Sequence, residues 1–207
     1  MNVTVAIDAG EAPSASEAGP APKRIVAAYG FWIFLLSDIV MFSALFASYA
    51  VLVHSTAGGP NGAELFNQVR VAIETACLLA SSYTCGLMTL AVNSHRRLGT
   101  YLGALLTFAL GAAFLALEIR EFADMIAHGA SPQRSAFLSA FFTLVGCHGL
   151  HVAAGLIWLV VMMAQVALKG FRAPVLRRLQ CFSLFWHALD IIWVGLFTVV
   201  YLMGVAS

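Results

Sequence analysis

Seven ionisable residues stand inside long apolar stretches: Asp38, Glu74, Glu118, His148, His151, His187 and Asp190. Carboxylates and imidazoles are the groups that move protons and bind metals, so their spacing is the first thing to weigh. His187 and Asp190 are three apart and share one face of a helix, with Trp186 and Trp193 on adjacent turns. A carboxylate one turn from an imidazole fixes its tautomer, which in an enzyme makes a general base and in a helix bundle makes a structural pair. The structural reading is preferred, because no nucleophile accompanies the pair. His148 and His151 lie in Gly146-Cys147-His148-Gly149-Leu150-His151. A zinc helix of the His-Glu-x-x-His type needs i, i+4 spacing and a glutamate, and both are missing. Glycines beside polar residues fit a packing face instead: a neighbouring helix comes close and the histidines bond across the contact. The sequence thus predicts no catalytic, metal or cofactor-binding residue, and the seven are candidates for structural roles within the membrane.

The cysteines add no chemistry. Cys77 and Cys85 would lie ~12 Å apart along one helix, beyond a disulfide's reach, and Cys147 and Cys181 read as small core residues. There is no G-x-S-x-G, P-loop or G-x-G-x-x-G motif.

The elements that must position these residues are membrane helices. Charged residues make up 10% of the 207, against about 25% in soluble domains. The hydrophobic fraction is 61% and the mean hydropathy is +0.89. Five runs are long and apolar enough to cross a bilayer, at about 26–53, 71–92, 98–119, 136–168 and 179–204. That composition excludes a water-soluble enzyme, a nucleic-acid binder and a secreted disulfide scaffold. The net charge of +1 points to no acidic or basic partner. Residues 1–22, rich in Ala, Gly, Ser and Pro, read as a disordered tail ahead of a five-helix domain at 23–207. The tail is acidic and the first run too long for a signal peptide, so span 1 is expected to remain in place.

Lys and Arg set the orientation. Lys23, Arg24, Arg96, Arg97, Lys169, Arg172, Arg177 and Arg178 fall on one side, and only Arg70, Arg120 and Arg134 on the other. Eight against three places the N-terminus in the cytoplasm and the uncharged C-terminal segment in the periplasm. The loops are short, so sequential helices are expected to pack as antiparallel neighbours. Gly58-Gly59-Pro60-Asn61-Gly62 forms a turn-rich loop. Span 4 exceeds a ~30 Å hydrocarbon core and must tilt or project; Ser131-Pro132 fits its start and Gly170 its stop.

An ionisable group in mid-membrane costs ~2.5–3.5 kcal/mol on insertion scales and therefore needs a partner. Glu74 and Glu118 lie near the ends of their runs and are expected to reach headgroup water. Asp38 is deeper. It must keep its proton or meet a donor on another helix, with Phe34 and Phe42 keeping water away.

Three stretches carry a family likeness. Phe31-Trp-Ile-Phe-Leu-Leu-Ser37-Asp38-Ile-Val-Met-Phe42 resembles the first conserved helix of subunit III of the haem–copper terminal oxidases. Cys147-His148-Gly149-Leu150-His151-Val152, followed by Gly155, resembles that family's His-Gly-Leu-His-Val helix. Phe185-Trp186-His187-Ala-Leu-Asp190-Ile-Ile-Trp193 is similar to its final helix, usually Trp-His-Phe-Val-Asp-Val-Val-Trp. The likeness covers roughly residues 25–205. Five spans in place of seven, Asp38 where cytochrome c oxidases usually carry Glu, and the stretches Thr56–Gly62 and Arg134–Phe142 resemble the cytochrome o (bo-type) ubiquinol oxidase branch. Gln165 departs from relatives that place a lipid-holding Arg there.

The resemblance implies a V-shaped bundle with phospholipid in its cleft and no prosthetic group of its own. It implies haems and copper in a partner subunit I, further contacts with subunits II and IV and membrane lipids, no nucleic acid, and a place in the bacterial plasma (inner) membrane. Within the family the alternatives are subunit III of a cytochrome c oxidase and the accessory protein of nitric oxide reductase. Outside it stand an intramembrane metalloenzyme, which lacks a third ligand on convincing spacing, and a small proton-coupled transporter. No inverted repeat or proline-broken helix pair supports the transporter.

Overall fold

The computed structural model describes residues 23–58 and 68–202. The tail at 1–22, most of the Gly-Pro-Asn-Gly loop and residues 203–207 lie outside that range. Every regular element among the described residues is helical: α1 Lys23–Leu52, α2 Gln68–Asn93, α3 Arg97–Ala127, α4 Ala136–Lys169 and α5 Ala173–Leu196, the last continuing as a π-helical turn over Phe197–Leu202. All five are long and apolar enough to cross a membrane.

Helix ends follow local chemistry. The Ser135 hydroxyl accepts from the Leu138 amide at 3.2 Å and starts α4, three residues after the predicted Pro132. Gly170, at φ 66°, stops it where expected. Pro174 fits the first turn of α5, where no amide is needed. Helix α3 runs on past Ile119 through Arg120, Glu121 and Asp124. With 34 residues, α4 spans about 50 Å, more than the hydrocarbon core.

α2 and α3 form a tight antiparallel pair. A Cβ at Gly103 would stand 2.8 and 2.9 Å from Cβ and Cα of Met88, so only glycine permits this backbone approach. α4 packs on α3 and α5. The sequential-neighbour expectation fails for α1, which packs on α4 and α5. The segment between α1 and α2 is long enough to carry the chain across the bundle, so proximity in sequence does not bind them. α1 buries Leu35, Phe42 and Tyr49, a strict seven-residue spacing that makes one narrow seam. Phe31, Leu45 and Phe46 pack partly buried beside it, while many of its other described apolar residues are exposed, including Phe34, which faces outward and does not shield Asp38 with Phe42.

α5 is fixed to α2 by polar contacts. Trp193 Nε1 donates to Thr75 Oγ1 at 3.0 Å, Trp186 Nε1 donates to Ser81 Oγ at 3.0 Å, His187 Nδ1 lies 2.7 Å from Ser82 Oγ, and Thr89 Oγ1 lies 3.2 Å from Ser183 Oγ. The partners descend one helix as they climb the other, as antiparallel packing requires. Between membrane helices, where lipid is as apolar as leucine, such bonds and close packing replace the hydrophobic driving force. Trp186 shows the packing half: its ring is held between Gly111 and Gly155, where added Cβ atoms would come within 2.9 and 2.8 Å of it.

Candidate functional site

The seven sequence-predicted residues divide among three places. The first is near the end of the bundle where α2 begins and α3 ends. Glu74 is fully buried and Glu118 is 2% exposed, so neither reaches headgroup water. The correction has a cause: α3 continues beyond the apolar run, and the helix packing closes over both carboxyls. Glu121, one turn after Glu118, joins them, and each lies within electrostatic range of the others. Among the described residues, both oxygens of Glu74 and of Glu118, and Oε1 of Glu121, meet no donor. The Tyr201 hydroxyl donates to Glu121 Oε2 at 3.2 Å, brought there by the π-helical turn at the end of α5. Arg70 caps the cluster from outside and pairs with Asp124 at 2.7 Å. The Glu118 carboxyl lies on Gly149, where a Cβ would be 2.7 Å from both oxygens. The glycine of the His-Gly-Leu-His segment thus admits a carboxyl.

The second place is aromatic. His148 is fully buried, with Trp193 at 5.2 Å, Phe114 at 5.8 Å and Phe42 at 6.4 Å between ring centroids. Neither ring nitrogen meets a hydrogen-bond partner among the described residues. The predicted satisfied histidine is therefore an unsatisfied one, packed as an aromatic ring. His151 behaves differently, with Nδ1 2.7 Å from the Cys147 carbonyl and Asp38 of α1 in electrostatic range. Asp38 is half-buried and faces α4.

The third place is a groove between α2 and α5 that holds Ser82, His187 and Asp190. Asp190 does not fix His187 directly, as the three-residue spacing suggests. Ser82 stands between them, bonded to His187 Nδ1 and within hydrogen-bonding reach of Asp190. Gln165 accepts from Arg178 Nη1 at 2.9 Å.

Glu121, Tyr201 and Ser82 were not singled out by the sequence reading. For Glu121 a signal existed, since i, i+3 spacing places it beside Glu118, but Arg120 marked the end of the apolar run. Tyr201 and Ser82 gave none, because hydroxyls are common on membrane helices. Among the described residues, no three His, Cys, Asp or Glu side chains are grouped to hold a metal ion, and the four cysteines are free.

The cytochrome c oxidase subunit III family matches residues 21–205. The chain belongs to that family. It is 54% identical over 176 residues to cytochrome bo(3) ubiquinol oxidase subunit 3 of Pseudomonas aeruginosa, covering 85% of this chain and 84% of the relative. It is 44% identical over 181 residues to quinol oxidase subunit 3 of Bacillus spizizenii, with 86% and 87% covered. Cytochrome c oxidase subunit 3 of Bacillus sp. (strain PS3) is 42% identical, with 86% of each covered. Family membership places the two histidines of α4 and the Trp-His…Asp…Trp helix in a subunit III, a multi-pass membrane protein of a multi-subunit oxidase.

Proposed function

We propose that this chain is the non-catalytic subunit III of a proton-pumping ubiquinol oxidase, supporting assembly, stability and lipid packing of the respiratory complex. The observation that carries the reading is the 54% identity, over most of both chains, to a ubiquinol oxidase subunit 3. Ubiquinol oxidation and reduction of dioxygen to water, with the haems and copper, fall to subunit I; subunits II and IV complete the complex. The phospholipid cleft, the cytoplasmic N-terminus and the bacterial inner membrane belong to the same proposal, and the eight-to-three distribution of Lys and Arg supports the orientation. Solubilised in mild detergent and pulled down, the chain is expected to bring a two-haem partner with ubiquinol oxidase activity. A partner that oxidises cytochrome c and not ubiquinol moves the chain to the other branch; recovery without any haem protein sinks the reading.

None of the seven intramembrane residues is catalytic in this proposal, and those facing the inside of the bundle are structural. Asp38, beside His151 and half out of the bundle, helps hold α1 on α4 and carries no pumped proton. Asp38→Asn keeps the volume and much of the hydrogen bonding, so the variant complex is expected to assemble and pump almost normally. Proton stoichiometry in vesicles checks this. An assembled Asn variant that consumes oxygen without pumping makes Asp38 a proton carrier.

A further inference from the structure

The groove between α2 and α5 is not explained by a structural role. Its walls are Leu79, Leu87 and Leu90, and Ser82, His187 and Asp190 lie at its polar side. Its volume of about 550 Å³ falls within the range of small-molecule sites. His187 stands at the middle of the Ala173–Tyr201 span, opposite Ser82 of α2. That is roughly 15 Å from either surface of the hydrocarbon core. A phospholipid headgroup stays at the interface, so the polar end of an occupant at this depth must be neutral.

The three side chains form a relay. Thr75, Ser81, Thr84 and Thr89 all donate to carbonyls three or four residues back on α2. Ser82 does not; its hydroxyl lies 2.7 Å from His187 Nδ1 and within hydrogen-bonding reach of the Asp190 carboxyl. A hydroxyl between an imidazole and a carboxyl can point either way. When Ser82 donates to Asp190, Nδ1 carries the ring proton and Nε2 accepts. When Asp190 donates to Ser82, the order reverses and Nε2 donates. Among the described residues Nε2 has no partner; Asp190 Oδ1, also unpartnered, is closed off from the groove. Unfilled polar positions in mid-membrane are costly, which favours an occupant with hydrogen-bonding oxygens.

We propose that this groove binds the ring of a quinone-class molecule. Such a molecule is neutral and dissolves at this depth. Its ring oxygens accept when oxidised and donate when reduced, matching a relay that reverses with one proton. The exposed ring of Tyr83 lines the groove beside it, and the hydrocarbon tail lies along the leucines. Binding alone is proposed, with no bond made or broken there. The choice of ubiquinone as the quinone rests on the ubiquinol oxidase reading.

The test uses the assembled oxidase in lipid nanodiscs, a photoreactive azido-ubiquinone, and mass spectrometry of the labelled peptides. Label is expected on α2 or α5 residues lining the groove, with excess ubiquinone competing. His187→Leu and Ser82→Ala are each expected to reduce it about fivefold, the factor supplied by one hydrogen bond. Leu87→Trp fills the groove from its exposed wall, leaves the relay untouched, and is expected to abolish labelling. Haem content of each preparation reports assembly. Ubiquinol oxidation without groove labelling overturns this proposal alone, as does labelling that survives Leu87→Trp. A photocrosslinker at position 87 that captures a helix of another subunit overturns it too. A complex that oxidises cytochrome c and not ubiquinol defeats the functional reading whatever the label shows.

Discussion

Trp186→Ala is expected to detach this subunit from its complex at a markedly lower temperature or detergent concentration than the native chain. Trp186 is 1% exposed and lies between Gly111 and Gly155, two backbones that come together only because its ring fills the space between them. Truncation leaves a void that rigid helices cannot close, and it removes the donor that Ser81 accepts from. Trp→Ala changes in soluble cores cost ~3–5 kcal/mol. Here the figure belongs at the low end, about 3 kcal/mol, because the transfer from water that adds to it in soluble proteins is nearly absent when the alternative surroundings are lipid. Trp186→Phe keeps most of the ring and loses the N–H, so about 1 kcal/mol is expected. Retention of the subunit during heating of the purified complex measures both. An Ala variant as firmly held as the native chain would mean that α3, α4 and α5 repack freely around position 186.

The parts of this arrangement that were legible in the sequence are those written in long patterns. Five apolar runs predict five helices because a bilayer demands that each span satisfy its own backbone. The glycines of α4 predict close approach for the same reason that Gly149 and Gly155 receive Glu118 and Trp186. What approaches was not legible. Partner identity depends on the rotation of each helix about its axis, and helices apolar on most faces give little sign of that rotation. Hence His148, predicted to be satisfied, faces three aromatic rings. Ser82 comes between the residues of the predicted His187–Asp190 pair, and α1 crosses to α4 and α5. The end of α3 failed in a more instructive way. Charge at Arg120, Glu121 and Asp124 reads as the membrane boundary, yet the helix continues and packing alone buries Glu118 and Glu121.

The three glutamates of that region are expected to respond to substitution with opposite signs, although they are neighbours. Among the described residues both Glu118 oxygens lack a donor, so its carboxyl contributes desolvation cost without a compensating bond. Methionine matches its length and fits on Gly149, and Glu118→Met is expected to stabilise the subunit by ~1–4 kcal/mol, as when a buried polar group yields to an apolar one of similar volume. Glu74→Met should move the same way by less, because Glu74 also gains from the nearby positive charge of Arg70. Glu121→Met should instead destabilise by ~1–3 kcal/mol, since the buried Tyr201 hydroxyl loses the oxygen it donates to. Combining Glu121→Met with Tyr201→Phe removes both ends of that bond and should recover most of the loss, which a double-mutant cycle reads directly. Thermal unfolding of the purified complex, followed on this subunit, supplies all five numbers, with Tyr201→Phe alone completing the cycle. A clear loss of stability in Glu118→Met would show that its carboxyl holds an ordered water or ion at the centre of the cluster, and that the glutamates form a built polar site.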